Sequence, residues 1–216
     1  MTKPGKIVCV GRNYREHVKE MGNEVPTTPL VFYKPTSSVI ASGAAIVLPG
    51  GVGRVDFEGE IGVVIGSRLT RATPAECAAA VRGIVAVNDV SARELQKSDP
   101  QWWRAKGYDT FCPIGPEKQG GADLTELELV TRVNGVERQR CHTRDMIFPI
   151  ADLLAFISGA VTLEVGDVVL TGTPEGVGPL SAGDTVEVEV VGWSTVTNTV
   201  RNTVQHTEQN RVVAEA

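Results

Sequence analysis

The segment RVDFEGEIGVVIG, residues 54–66, restricts the fold more than any other part of this 216-residue chain. Its second half is apolar enough to be a buried strand. Side chains alternate along an extended chain, so Asp56, Glu58 and Glu60 would point to the same side. Burying neighbouring carboxylates unpaired costs several kcal/mol per ion. Three solutions exist: that face is open to water, basic side chains pair with the acids, or a cation lies between them. Polar–apolar alternation is usual for half-buried strands, so the exposed face stands beside the other two.

IVAVND, residues 84–89, adds a further acid, Asp89, at the end of a very apolar strand. Glu58, Glu60 and Asp89 together would make an all-oxygen site. Such a donor set suits a hard divalent ion, Mg²⁺ or Mn²⁺, with Ca²⁺ as a third fit. Zinc fits less well, because no histidine or cysteine joins the set. Asp56 is assigned to the surface or to a supporting place behind the other two.

The remaining segments read as a strand-rich α+β chain. KIVCVG (6–11), LVFYKP (30–35) and AAIVLPGGVG are strands ended by glycine or proline. RNYREHVKEMG (12–22) is helix-compatible and closes at Gly22. TPAECAAAVRG (73–83) is a helix with Thr73 as cap, Pro74 in the first turn and Gly83 at its end. VSARELQKS supplies one or two helical turns. A hairpin spans 127–140 around Asn134-Gly135, and another spans 184–200 and turns at Gly192. A helix over 144–158 is interrupted or started near Pro149. Residues from about 201 read as a polar, loosely held tail. One domain over 1–216 is expected.

The net charge of −5 argues against a nucleic acid or an anionic membrane as partner. The four cysteines, Cys9, Cys77, Cys112 and Cys141, form no C-x-x-C pair, so neither a disulfide framework nor a zinc knuckle is suggested. The sequence shows neither an apolar signal segment nor a membrane-length run, and a reduced, cytoplasmic protein is expected.

His17 and Glu20 are three residues apart and share one face of a helix. A carboxylate beside an imidazole fixes its tautomer and raises its basicity, so the pair could take a proton from water. Such pairs are also common on charged helices with no function. Lys106 follows two tryptophans, where a solvated charge with its stem on apolar surface is the ordinary reading. Arg93 and Gln96 lie four and seven residues after Asp89, so one short helix would align all three. Thr173, in TGTPEGVG, is on a glycine-rich loop that lacks the phosphate-loop pattern. Its hydroxyl and the freed amides could bind a carboxylate. Lys34, in FYKP, is a further candidate substrate contact and reads equally as a strand-end lysine.

VDFEGEIGVVIG, VNDVSARELQ, RAKGYDTFCPIGP and LTGTPEGVG, preceded by GRNYREHVKEMGN and VFYKPTSS, together resemble the fumarylacetoacetate hydrolase family. The likeness runs collinearly over roughly residues 6–200, and is strongest to its short acylpyruvate and fumarylpyruvate hydrolases. It implies a β-rich catalytic domain with mixed sheets rolled around the site and flanking helices, assembled as a homodimer. The extra N-terminal domain of longer members is not expected in so short a chain. The resemblance also implies a metal held by Glu58, Glu60 and Asp89. His17 and Glu20 would sit on a mobile lid, about residues 11–25, hinged at Gly11 and GNEVP. Lys106 would face the substrate, with Arg93 and Gln96 as substrate contacts and His142 and His206 structural or exposed.

The chemistry implied is metal-dependent cleavage of the C–C bond of a 2,4-dioxo acid, giving pyruvate and a carboxylate. Oxaloacetate decarboxylation or keto–enol tautomerisation at the same site is the alternative. A non-catalytic metal-binding or oligomerising β domain is a further reading, in which His17, Glu20 and Lys106 would do no work.

Overall fold

In a computed structural model, residues 4–203 are described. The strands are β1 (Ile7–Gly11), β2 (Leu30–Lys34), β3 (Val39–Ala41), β4 (Ile46–Leu48), β5 (Val55–Phe57), β6 (Gly59–Ile65), β7 (Val81–Asn88) and β8 (Ser91–Ala92). They continue as β9 (Cys112–Ile114), β10 (Lys118–Gln119), β11 (Glu128–Val133), β12 (Val136–His142), β13 (Val168–Leu170), β14 (Gly178–Pro179), β15 (Thr185–Val190) and β16 (Ser194–Asn202). The helices are α1 (Arg15–Glu20), α2 (Pro74–Ala79), α3 (Arg93–Ser98), α4 (Trp103–Gly107) and α5 (Ile150–Ala160).

An eight-stranded mixed sheet has the order β2-β1-β13-β6-β7-β9-β3, with β10 also on β7. The five-stranded sheet β12-β11-β15-β16-β4 packs against β6 and β7. A small third sheet joins β14, β5 and β8. The largest apolar cluster, including Ile61, Ile84, Leu129 and Val188, draws on both larger sheets. A second one, around Ile7, Val85, Val87 and Leu170, belongs to the eight-stranded sheet. The fold is α+β: a curled, β-rich body flanked by helices. No described helix is long and apolar enough to cross a membrane.

Several boundaries differ from the sequence reading, each for a local reason. α2 has the expected Thr73–Glu76 capping box and Pro74 in its first turn, a cap worth about 1 kcal/mol. It ends at Ala79 rather than Gly83, because Val81 and Gly83 already pair with Ile65 and Val64. α5 begins only after Pro149. A proline disfavours helix in the residue before it, and Ile147 and Phe148 are held instead by hydrogen bonds from their amides to Asn13. Both hairpins form as read. Asn134 and Gly135 take φ 53° and 76°, the left-handed pair that a two-residue turn requires. Arg201 and Asn202, expected in the tail, extend β16 and pair with Val47 and Leu48. The rest of that tail from 204, with His206, lies outside the described residues.

Candidate metal and substrate site

The acidic segment is not one strand. It breaks at Glu58, so Asp56 belongs to the small sheet and Glu60 to the large one. Pairing then brings the remaining acids together. The start of β6 lies against the end of β7, with Gly59 opposite Asn88 and Glu60 opposite Val87. Asp89 N donates to Glu58 O at 2.8 Å, and Glu58 N donates to Asn88 Oδ1 at 3.0 Å. Glu58, Glu60 and Asp89 are buried, each offering a carboxylate oxygen within 4.8 Å of the others. Gly59 between them cannot carry a side chain, since a Cβ there would lie 1.9 Å from Thr131 Oγ1.

All three acids line a cavity of about 320 Å³. His17, Arg93, Gln96, Lys106 and Thr173 also line it. Asp89 itself is not on a helix. It follows β7, and α3 begins only at Arg93, where Arg93 Nη1 donates to Gln96 Oε1 at 2.9 Å.

Lys106 is not the solvated charge its neighbours suggest. It is 2% exposed, and its ammonium donates to Glu58 Oε2 and Asp89 Oδ2, both at 2.6 Å. α4 aims it inward, above the Phe32 ring at 5.1 Å from the centroid, while Trp102 meets Phe32 edge-on and Trp103 lies outside. Lys34 is equally buried, but its ammonium engages Asp89 Oδ1 at 2.6 Å and Val90 O at 3.3 Å, and it does not line the cavity. Asp56 is buried too, against the surface alternative. It accepts from Arg54 and from Arg93 Nε at 2.8 Å, and Arg93 Nη1 reaches on to Glu58 Oε1 at 2.5 Å. Asp56 thereby fixes the guanidinium that neutralises Glu58. Arg93 Nη2 is buried with no partner.

Burial by itself would raise the Glu58 carboxyl, but Lys106, Arg93 and His17 outweigh it and hold it well below the usual range. For Lys106, burial is opposed by Asp89 and Glu58, which raise the ammonium above its ordinary value. Glu60 goes the other way. Burial, then the charges of Asp89 and Glu58, push its carboxyl well above the usual range. Gly172 N donates to it at 2.7 Å, yet it has no ion pair among the described residues. Asp56, Glu58 and Asp89 are each paired with a cation, among Lys34, Arg54, Arg93 and Lys106. Of these four buried carboxyls, only Glu60 has no ion pair among the described residues. An all-carboxylate donor set with one member unneutralised fits a hard divalent cation, and Lys106 already draws two of the three together as a stand-in cation.

α1 places His17 at the cavity, with Nδ1 3.2 Å from Glu20 Oε2. Glu20 also accepts from Gly176 N at 3.1 and 3.3 Å, tying α1 to the loop after β13. An ionised carboxylate only accepts, so a neutral His17 carries its proton on Nδ1 and keeps a lone pair on Nε2. Thr173 is buried on that loop, and His142 is outside the cavity wall.

Sequence reasoning passes over two rim cations and a buried amide. Arg12 and Lys97 line the cavity without an ion pair among the described residues. Arg12 takes φ 60°, a left-handed conformation. Asn13 imposes it, being buried and anchored to Phe148 O at 3.1 Å and Thr171 O at 2.9 Å. The GRN tripeptide holds that signal only through Asn13, a residue type that favours local backbone bonding. Gln139, from the far hairpin, contacts the site from behind and carries no local sequence signal.

The domain model described as fumarylacetoacetate (FAA) hydrolase, C-terminal, matches residues 6–201. The mitochondrial oxaloacetate tautomerase of Arabidopsis thaliana is 43% identical over 203 residues, covering 91% of this chain and 91% of its own. Among solved structures, a 5-carboxymethyl-2-hydroxymuconate delta-isomerase from Mycobacterium smegmatis is 43% identical with a TM-score of 0.87, covering 94% of this chain and 81% of its own. A 2-hydroxyhepta-2,4-diene-1,7-dioate isomerase from Mycobacterium marinum is 42% identical with a TM-score of 0.85, covering 93% and 75%. These three relatives are named as a tautomerase and isomerases, and none of them as an acylpyruvate hydrolase. By the match over residues 6–201 and these identities, the chain belongs to the fumarylacetoacetate hydrolase family.

Proposed function

We propose that the protein interconverts keto and enol forms of a small dicarboxylic 2-oxo acid of the oxaloacetate kind, using a divalent cation, Mg²⁺ or Mn²⁺, held by Glu58, Glu60 and Asp89. The observation that carries this reading is one cavity shared by the cation-suited carboxylates and a single histidine base. Its volume, about 320 Å³, is at the small end of ligand sites. When bound, the cation supplies positive charge beside the carboxylate and 2-oxo group, lowering the cost of the enolate.

The chain's own groups do the rest. His17 Nε2 takes a proton from C3 and delivers it to the enolate oxygen, the reverse path restoring the keto form, and Glu20 holds the ring and supports its charged form. Lys106, on the cavity wall, stabilises the developing oxyanion. Arg12 and Lys97 at the rim suit a second carboxylate. α1 serves as a lid latched by Glu20 on Gly176 N, keeping bulk water off the acidified carbon. C–C hydrolysis is the second reading, favoured by the free Nε2 of His17, which could equally orient a water.

The deciding experiment follows enol decay of oxaloacetate by ultraviolet absorbance, with and without Mg²⁺, beside pyruvate release from oxaloacetate and acetylpyruvate. Tautomerisation outrunning both pyruvate-releasing reactions supports the proposal; faster pyruvate release from acetylpyruvate makes the protein a hydrolase. In the same assay Arg12→Ala is expected to raise KM for oxaloacetate about 10-fold, the weight of one hydrogen bond to a charged group, with kcat little changed. An unchanged KM would remove Arg12 from recognition of the distal carboxylate.

A further inference from the structure

Gln139, on β12, is buried but does not line the cavity. Its side chain joins two walls of the site. Oε1 accepts from Gly59 N, between two of the acids, at 2.9 Å. Nε2 donates to Thr173 Oγ1 at 2.8 Å and to Pro174 O at 3.0 Å. The amide has only one workable orientation, because Gly59 N–H can only donate and Pro174 O can only accept. The direction of the bond to Thr173 follows. The Thr173 hydroxyl must accept there, so its single proton is left for another partner. It has no other side-chain hydrogen bond among the described residues, and it lines the cavity.

We infer that Gln139 is a positioning residue that makes Thr173 an obligate hydrogen-bond donor to the carboxylate of the bound 2-oxo acid. The inference rests on the 2-oxo acid reading above. Without the amide, the buried carbonyl of Pro174 loses its donor and competes for the Thr173 proton. The hydroxyl then presents lone pairs to an anionic ligand, and the contact turns from attractive to repulsive.

The test is a double-mutant cycle on binding, not turnover. The probe is oxalate, which has two adjoining carboxylates like the head of a 2-oxo acid and no C3 proton to lose. Its affinity for the Mg²⁺-loaded protein is measured by titration calorimetry. Gln139→Met and Thr173→Val are each expected to weaken oxalate about 10-fold or more, the range of a hydrogen bond to a charged group. The double variant is expected to bind no more weakly than Thr173→Val alone, and Thr173→Ser to bind like the parent. Mg²⁺ affinity should stay within about 2-fold throughout, because the amide touches Gly59 and no carboxylate.

An undiminished affinity in Gln139→Met overturns the inference. So does a loss that persists in full on the Thr173→Val background, since Gln139 would then be acting on packing alone. Should Gln139→Met not fold, Gln139→Glu serves at a pH where its carboxylate is ionised. It still accepts from Gly59 but has no proton for Thr173. A parent protein that does not bind oxalate with Mg²⁺ present sinks the 2-oxo acid reading and this inference with it. Binding by the parent with additive losses sinks this inference alone.

Discussion

Glu60→Gln is expected to abolish divalent-cation binding while raising the melting temperature of the cation-free protein. The two effects share one cause. Glu60 is buried, has no ion pair among the described residues and lies beside two more carboxylates. Its folded-state carboxyl is therefore raised by burial and by Asp89 and Glu58. For an acid raised on folding, the cost of ionisation is absent below the unfolded-state pKa and grows as pH rises through the folded-state one. Glutamine removes that cost and can still accept from Gly172 N. The gain should appear at neutral and alkaline pH and vanish in acid.

Because burial and the neighbouring carboxylates raise the Glu60 carboxyl, cation uptake competes with its protonation. Binding by the parent protein should tighten as pH rises and release a proton, read as a dependence of the calorimetric heat on the buffer. At about 100 times its Kd, Mg²⁺ stabilises by roughly 2.7 kcal/mol, about 5–10 °C in Tm for a chain of this size. That shift should disappear in Glu60→Gln. If the variant keeps a parental Mg²⁺ shift, the ion is not held by this cluster.

Lys106→Met is expected to do the reverse in the cation-free protein. Lys106 bridges Glu58 and Asp89 with two 2.6 Å contacts in a buried setting. Breaking a buried pair leaves uncompensated charge and costs about 3–5 kcal/mol, so Tm should fall on the order of 10 °C. Mg²⁺ replaces the missing positive charge. Its stabilisation of the variant should therefore exceed that of the parent, and its Kd should tighten once the competing ammonium is gone. Turnover should still fall about 100-fold or more, as when one donor to a developing oxyanion is removed. A cation-free Lys106→Met as stable as the parent would mean that the cluster is neutralised by other means.

The chemistry of the acids is legible in the amino-acid sequence alone. Three carboxylates on an apolar strand pair cannot be buried without a counter-charge, and oxygen donors alone point to a hard ion. Hairpins are legible wherever the turn residue has few alternatives, as at Asn134-Gly135. Helix ends are less so, because β-ladder pairing claims Val81 to Gly83 and overrides the glycine as a stop. The burial of Lys106 and Asp56 escapes a sequence reading for one reason: burial is a property of what packs above a residue, and its neighbours in sequence do not report it.

The amino-acid order, then, determined which groups are present, their alternation and the need for a counter-charge if the acids are buried. Tertiary structure alone decided how they are shared out. It sent Lys34 behind Asp89 and Lys106 between Glu58 and Asp89, left Glu60 without an ion pair, and brought Gln139 across from a distant hairpin to the back of Thr173. The contacts of these residues join positions up to 112 apart. Local propensity has no access to them, since only closing the sheets brings such groups within hydrogen-bonding distance.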